Sequence, residues 1–134
     1  MMIYVGGWPR TKGSVTPRRG GRAPEYQDRE SKDWAARVQY EAERAAARSG
    51  WERVATGPVS VHLVYWLPLD DVTVPGAGQG DVDKLERNIL DALTAAGIYA
   101  DDRQVVRVVH EKWPHVPARN VMPGVQVQVF RGRV

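Results

Sequence analysis

Cysteine is absent from the 134-residue chain. Its absence removes disulfides, thiolate nucleophiles, iron–sulfur clusters and cysteine-ligated zinc together. No apolar run approaches the ~20 residues that span a bilayer. The opening Met1-Met2-Ile3-Tyr4-Val5-Gly6 has neither the basic start nor the long apolar core of a signal peptide. Also missing are an internal repeat, a Gly-x-Ser-x-Gly elbow and a nucleotide phosphate loop, since Gly76-Ala77-Gly78-Gln79-Gly80 has no following Lys-Ser/Thr and the wrong spacing for a dinucleotide fingerprint. His62, His110 and His115 show no metal or triad spacing and read as structural or exposed. What remains is a soluble, intracellular chain with no membrane partner and no small-molecule organic cofactor, whose chemistry must come from carboxylates and cations.

A hydrophobic share of 43% and a charged share of 26% suit an ordinary globular protein, and the length suits one domain spanning 1–134. The net charge of +3 conceals a division. Between Asp70 and Asp102 stand eight acids, Asp70, Asp71, Asp81, Asp83, Glu86, Asp91, Asp101 and Asp102, against Lys84 and Arg87 alone. Elsewhere seventeen bases face eight acids. A basic body around an acidic centre suits a protein that holds phosphates with cations and a metal with carboxylates.

Met2–Val5 reads as a short strand, ended by Gly6-Gly7 and Pro9. From Arg10 to Arg29 the chain turns basic and poor in apolar residues. Arg10, Lys12, Arg18, Arg19 and Arg22 make this segment a candidate phosphate-binding loop. Ser31 is positioned to cap a helix running to Ser49, with Trp34, Val38, Ala42 and Ala45 on its buried stripe and Gly50 as its stop. Val59–Leu67 alternates as a strand, and Pro68–Gly80 reads as a hinge in which Asp70 and Asp71 are turn residues.

A second helix is expected over Val82–Ala96, with Asp81 at its cap, a stripe of Val82, Leu85, Ile89, Ala92 and Ala96, and Gly97 as the stop. Gln104–Trp113 and Gly124–Phe130 follow as strands. The order β-α-β-α-β-β describes an α+β fold: a small mixed sheet of about four strands packed with two helices.

Asp81 and Asp83 straddle a loop-to-helix junction, where the positive end of the helix favours their ionised forms. Asp101-Asp102 comes one helix length later, so the chain must double back to bring the pairs together. A helix of some fifteen residues is ~22 Å long, and the Gly97 turn with the following strand makes the return feasible. Carboxylates from two loops, without His or Cys beside them, point to Mg²⁺ or Mn²⁺ rather than zinc or copper. The corresponding chemistry is metal-assisted phosphoryl transfer, in which a bound water is activated and no side-chain nucleophile is required. Asp91, four residues after Arg87, reads as a structural surface partner.

The run Asp81-x-Asp83-x-Leu85, then Leu90-Asp91-Ala92-Leu93, then Asp101-Asp102-x-Gln104-Val105 resembles the RusA family of Holliday junction resolvases of bacteria and their phages. Trp8-Pro9 and the basic loop after it are similar to that family's N-terminal region. The resemblance implies a homodimeric, cytoplasmic α+β endodeoxyribonuclease of DNA recombination and repair. Such an enzyme uses Mg²⁺ to place paired nicks across a four-way junction. It implies Asp81, Asp83 and Asp102 as essential metal-holding carboxylates and Asp101 as a neighbour in the same shell. Arg87 falls where the family typically has lysine, and Lys84 where it usually has asparagine. Arg87 keeps the charge that would stabilise the transition-state phosphate but changes its geometry, and Lys84 is able to share the task or bind DNA. Two other readings stay open: a DNA-binding protein with a structural cation, and a nuclease acting on flaps, forks or duplex.

Overall fold

A computed structural model describes residues 1–11, 29–67, 82–114 and 122–134, the side chains of Val82 and Pro114 excepted. The expected order is found. Strand β1 spans Met2–Gly6, helix α1 Arg29–Ser49, β2 Val59–Leu67, helix α2 Val82–Ala95, β3 Val105–Pro114 and β4 Gly124–Arg131. A single 3-10 turn, Asp102–Gln104, leads into β3. Its last residue, Gln104, is the one expected to open the strand, which begins at Val105 instead.

The sheet runs β1-β4-β2-β3, with β2 and β3 parallel and the other pairs antiparallel, so it is mixed. Parallel pairing of β2 with β3 requires a crossover, and α2 supplies it. Alternation sorts the side chains into rows across the strands. Ile3, Val127, Leu63 and His110 form one inward row, and Val5, Val125, Tyr65 and Lys112 the next. The first three members of each row are buried in the core, together with Trp34, Val38, Ala42 and Ala45 of α1 and Leu85, Ile89, Ala92 and Leu93 of α2. Only at β3 does the inward side turn polar. Gly124 is required where β4 passes β1, because a Cβ there would stand 2.5 Å from the Val5 carbonyl oxygen.

The opposite sheet face carries Met2, Tyr4, Val64, Trp66, Val109 and Trp113 in half-exposed or exposed positions. Tyr4 and Trp66 stack there with ring centroids 6.1 Å apart. Among the described residues no helix is long and apolar enough to cross a membrane.

One local expectation changes and another holds. Helix α1 begins at Arg29, so Ser31 is not its cap. It is buried within the first turn, and its hydroxyl donates to the Thr11 carbonyl at 2.8 Å. The stop after α2 is as expected, and its hydrogen bonds show why. Gly97, at φ +75°, donates to Thr94 O at 3.0 Å, and Ile98 donates to Leu93 O at 3.1 Å. Those two bonds satisfy the last helical carbonyls and seat Ile98 beside Leu93 in the core.

Candidate functional site

The chain returns from Gly97 along a fixed path. Val54 donates to Ile98 O at 3.2 Å, Ala100 donates to Val54 O at 3.1 Å, and the Trp51 indole donates to Ile98 O at 3.0 Å. The Tyr99 hydroxyl donates to Leu90 O at 3.0 Å, which ties the returning strand to the helix it has just left. Burial, the larger cause, pushes the Tyr99 hydroxyl up in pKa, so it remains a protonated donor. Gln104 completes the turn. Its side-chain oxygen accepts from Ala100 N and Asp101 N, and its amide donates to Val54 O and Gly57 O.

This path sets Asp102 beside the exposed face of α2. Asp83, Glu86, Arg87, Leu90 and Asp91 line a cleft of about 290 Å³ together with Asp102. The helical members recur at three- and four-residue spacing, so a single face of α2 presents all of them. Asp83 and Asp102 are both exposed, and Asp83 stands in the first turn of α2, near the positive end of its dipole.

Asp101 has a different place. It is not among the residues lining the cleft. It caps the 3-10 turn, and its carboxylate accepts from Arg103 N at 2.8 Å and from the Arg103 guanidinium at 3.0 and 2.8 Å. These bonds from Arg103 hold its carboxyl well below the usual carboxylate range. Asp101 therefore fixes the shape of the turn that presents Asp102. Lys84 is half-buried and also stands outside the lining set. Arg10 is described, exposed and 3.2 Å from Glu30. Asp81, Lys12, Arg18, Arg19, Arg22, Asp70, Asp71 and the glycine-rich hinge lie outside the described residues.

Two cleft residues escaped the sequence reading. Asp91, which reads from sequence as a structural surface residue, and Glu86, to which the pattern assigns no role, both line the cleft. The spacing 83, 86, 87, 90, 91 could have revealed them, since it is the complement of the apolar stripe. Glu86 also touches the sheet. Its carboxylate stands 3.8 Å from His110 Nδ1, at the polar edge of the inward rows. The Tyr65 hydroxyl is buried without a hydrogen-bond partner among the described residues. Burial first, and the charge of Glu86 second, push its pKa up.

The cleft donors are hard oxygen ligands, which suit Mg²⁺ or Mn²⁺ in type. Among the described residues no three His, Asp or Glu side chains stand close enough to hold a metal ion.

The family described as endodeoxyribonuclease RusA matches residues 8–129. The chain belongs to the RusA endodeoxyribonuclease family. That match covers nearly the whole chain, from Trp8 through both carboxylate pairs into β4. No curated protein matches the chain. For a RusA family member, a cleft combining carboxylates with an arginine is chemically apt: the acids suit a divalent cation, and the guanidinium suits a phosphate.

Proposed function

We propose that this RusA family protein is a Mg²⁺-dependent endonuclease that resolves four-way DNA junctions by paired symmetric nicks. The observation that carries the reading is that Asp83 and Arg87 of α2 line one cleft with Asp102, which the chain brings back from beyond the end of the helix, on a chain of this family.

Asp83 and Asp102 would hold the cation with Asp81, which precedes Asp83 by two residues. A bound Mg²⁺ supplies an activated water and neutralises charge on the leaving oxygen. Arg87 binds and orients the scissile phosphate, its planar fork matching two phosphate oxygens. Asp101, gripped by Arg103, keeps the 3-10 turn in the shape that points Asp102 toward α2. Glu86 and Asp91 add negative charge to the cleft, which repels a phosphate approaching without a cation. Arg10, Lys12, Arg18, Arg19, Arg22 and Lys84 are the cations proposed to neutralise DNA phosphates away from the cut.

Two symmetric cuts need two sites at a fixed spacing, which a twofold homodimer supplies. The sheet face that carries Tyr4, Trp66 and Trp113 is the surface we assign to that contact.

Labelled four-way junction and matched linear duplex, incubated with the protein in Mg²⁺ or in chelator, test the proposal. Paired nicks on the junction alone, lost in chelator, are expected. Binding without cleavage in both Mg²⁺ and Mn²⁺ overturns the enzyme reading. Equal cutting of duplex, flaps or forks overturns the junction preference.

A further inference from the structure

A second groove lies apart from the cleavage cleft, between the segment that leaves β1 and the N-terminal half of α1. Trp8, Arg10, Glu30, Asp33, Trp34 and Arg37 line it, and its volume is about 230 Å³. Pockets for drug-sized ligands begin near ~300 Å³, so this groove suits one planar ring system rather than a larger molecule.

Its chemistry is mixed in a particular way. The Trp8 indole is 46% exposed, whereas Trp34 is 4% exposed and packs in the core beneath. The Arg10 and Glu30 side chains, 3.2 Å apart, are both largely solvent-accessible. Arg37 rests against the backbone at Gly7, where a Cβ would stand 2.9 Å from its Nη1. An aromatic face, two guanidinium groups and carboxylate acceptors around a one-ring space match a nucleobase with its flanking phosphates. The ring takes the π-face, the arginines take phosphate oxygens, and a carboxylate accepts from an exocyclic amine.

The groove is tied to the cleavage cleft by a buried polar node. Asn88 follows Arg87 on α2, and a one-residue step turns the helix by about 100°. Arg87 therefore faces the cleft while Asn88 faces the seam between the helices. The Asn88 amide donates to Arg10 O at 3.1 Å and to Ser31 Oγ at 3.2 Å, and Ser31 Oγ donates onward to Thr11 O at 2.8 Å. Asn88 and Ser31 are 3% and 2% exposed. A buried, satisfied pair of this kind has one low-energy arrangement, because each member left alone would lose its partners. The segment carrying Trp8 and Arg10 is thereby held at a fixed offset from Arg87.

We propose that this groove is a second DNA subsite that takes one unpaired base of the branched substrate, stacked on Trp8 and held in register with the cleavage cleft by Asn88 and Ser31. Arg10 and Arg37 contact the flanking phosphates, and Asp33 accepts from the exocyclic amine, which favours adenine, cytosine or guanine over thymine. The subsite rests on the proposed function for its DNA and adds where a displaced base is held.

The test uses the full chain in chelator with two four-way junctions, one carrying 2-aminopurine at the branch point and one carrying it in the middle of an arm. Fluorescence of the branch-point probe should change on binding, and that of the arm probe should not. Trp8→Ala should abolish the branch-point response and weaken binding roughly tenfold, within the range expected for loss of one base–aromatic stack. Trp8→Phe should restore both. Because Trp8 is half-exposed, the alanine variant should fold, which a thermal melt checks. An unchanged branch-point response in Trp8→Ala, or equal responses from the two probes, overturns the subsite. Cleavage of the same junctions in Mg²⁺ is scored separately. Cutting with no Trp8-dependent response removes the subsite and leaves the proposed function standing, whereas a Trp8-dependent response without cutting does the reverse.

Discussion

The two sides of α2 solve opposite problems with neighbouring residues. On the inner side Leu85, Ile89, Ala92 and Leu93 are buried against the sheet and α1, with Asn88 as the lone buried polar member of the helix among the described residues. On the outer side Asp83, Glu86, Arg87, Leu90 and Asp91 face a cleft shared with Asp102. The inner side is held by removal of apolar surface from water. The outer side gathers three carboxylates and a guanidinium around that cleft, an arrangement that suits a cation and a phosphate. The difference teaches that one helix can separate folding from chemistry by about 100° of rotation per residue, so substitutions one position apart should have effects of different kinds.

The sharpest way to break this comparison is Asp102→Asn. Cleavage should fall by about three orders of magnitude, since loss of metal-assisted charge stabilisation is worth several kcal/mol. Junction binding should hold or tighten, because a negative charge has left the phosphate's approach. Thermal stability should move by less than about 0.5 kcal/mol, as for other exposed positions. Quantitative nicking assays beside a melting curve check all three. Wild-type cutting by Asp102→Asn would place the chemistry elsewhere.

Ile89→Ala probes the other side. It should destabilise the fold by roughly 2–5 kcal/mol through the lost burial and the cavity left behind. The nicking rate per folded molecule should stay close to wild type. Denaturant unfolding followed by activity at low temperature separates the two quantities, and a large activity loss in fully folded protein would dissolve the division between the sides.

Asn88→Ala sits between them. Removing the amide leaves the Arg10 carbonyl and the Ser31 hydroxyl without this donor, costing about 1–3 kcal/mol. It should also spread the nicks over neighbouring phosphates, because the N-terminal segment loses its fixed offset from Arg87. Unchanged nick positions would reduce Asn88 to a purely structural residue.

The smallest effect concerns Asp101. Its carboxyl lies below the usual range because Arg103 holds it. A carboxyl depressed in the folded state stabilises the fold above its unfolded pKa of ~3.9 and loses that contribution only as the pH falls through the depressed folded value. The 3-10 turn should therefore stay intact from neutral pH through mild acid. The Arg103 amide shift, followed by NMR, reads this directly, and a midpoint in the ordinary aspartate range would contradict the grip.

Periodicity made both helices and all four strands legible to within three residues at every end, because burial on one face imposes the 3.6- and 2-residue patterns that the eye can find. The family was legible from the carboxylate runs, whose spacing survives in one dimension. Ser31 was misread as a cap because caps and buried hydroxyls use the same residue type; only the position of Thr11 and Asn88 tells them apart. Glu86 and Asp91 were missed because their role depends on a neighbour, Asp102, that the Gly97 turn delivers from outside the helix.

The sequence by itself therefore determined the elements, their order, the charge division and the family, since each rests on residue type at short spacing. The tertiary structure alone decided which carboxylates share a cleft and that Asn88 joins the N-terminal segment to α2. Those are contacts across 11 to 78 positions of chain, as from Asp91 to Asp102 in the cleft and from Arg10 to Asn88 in the node. Local pattern cannot encode them, because closing such loops is settled by the packing of the whole core.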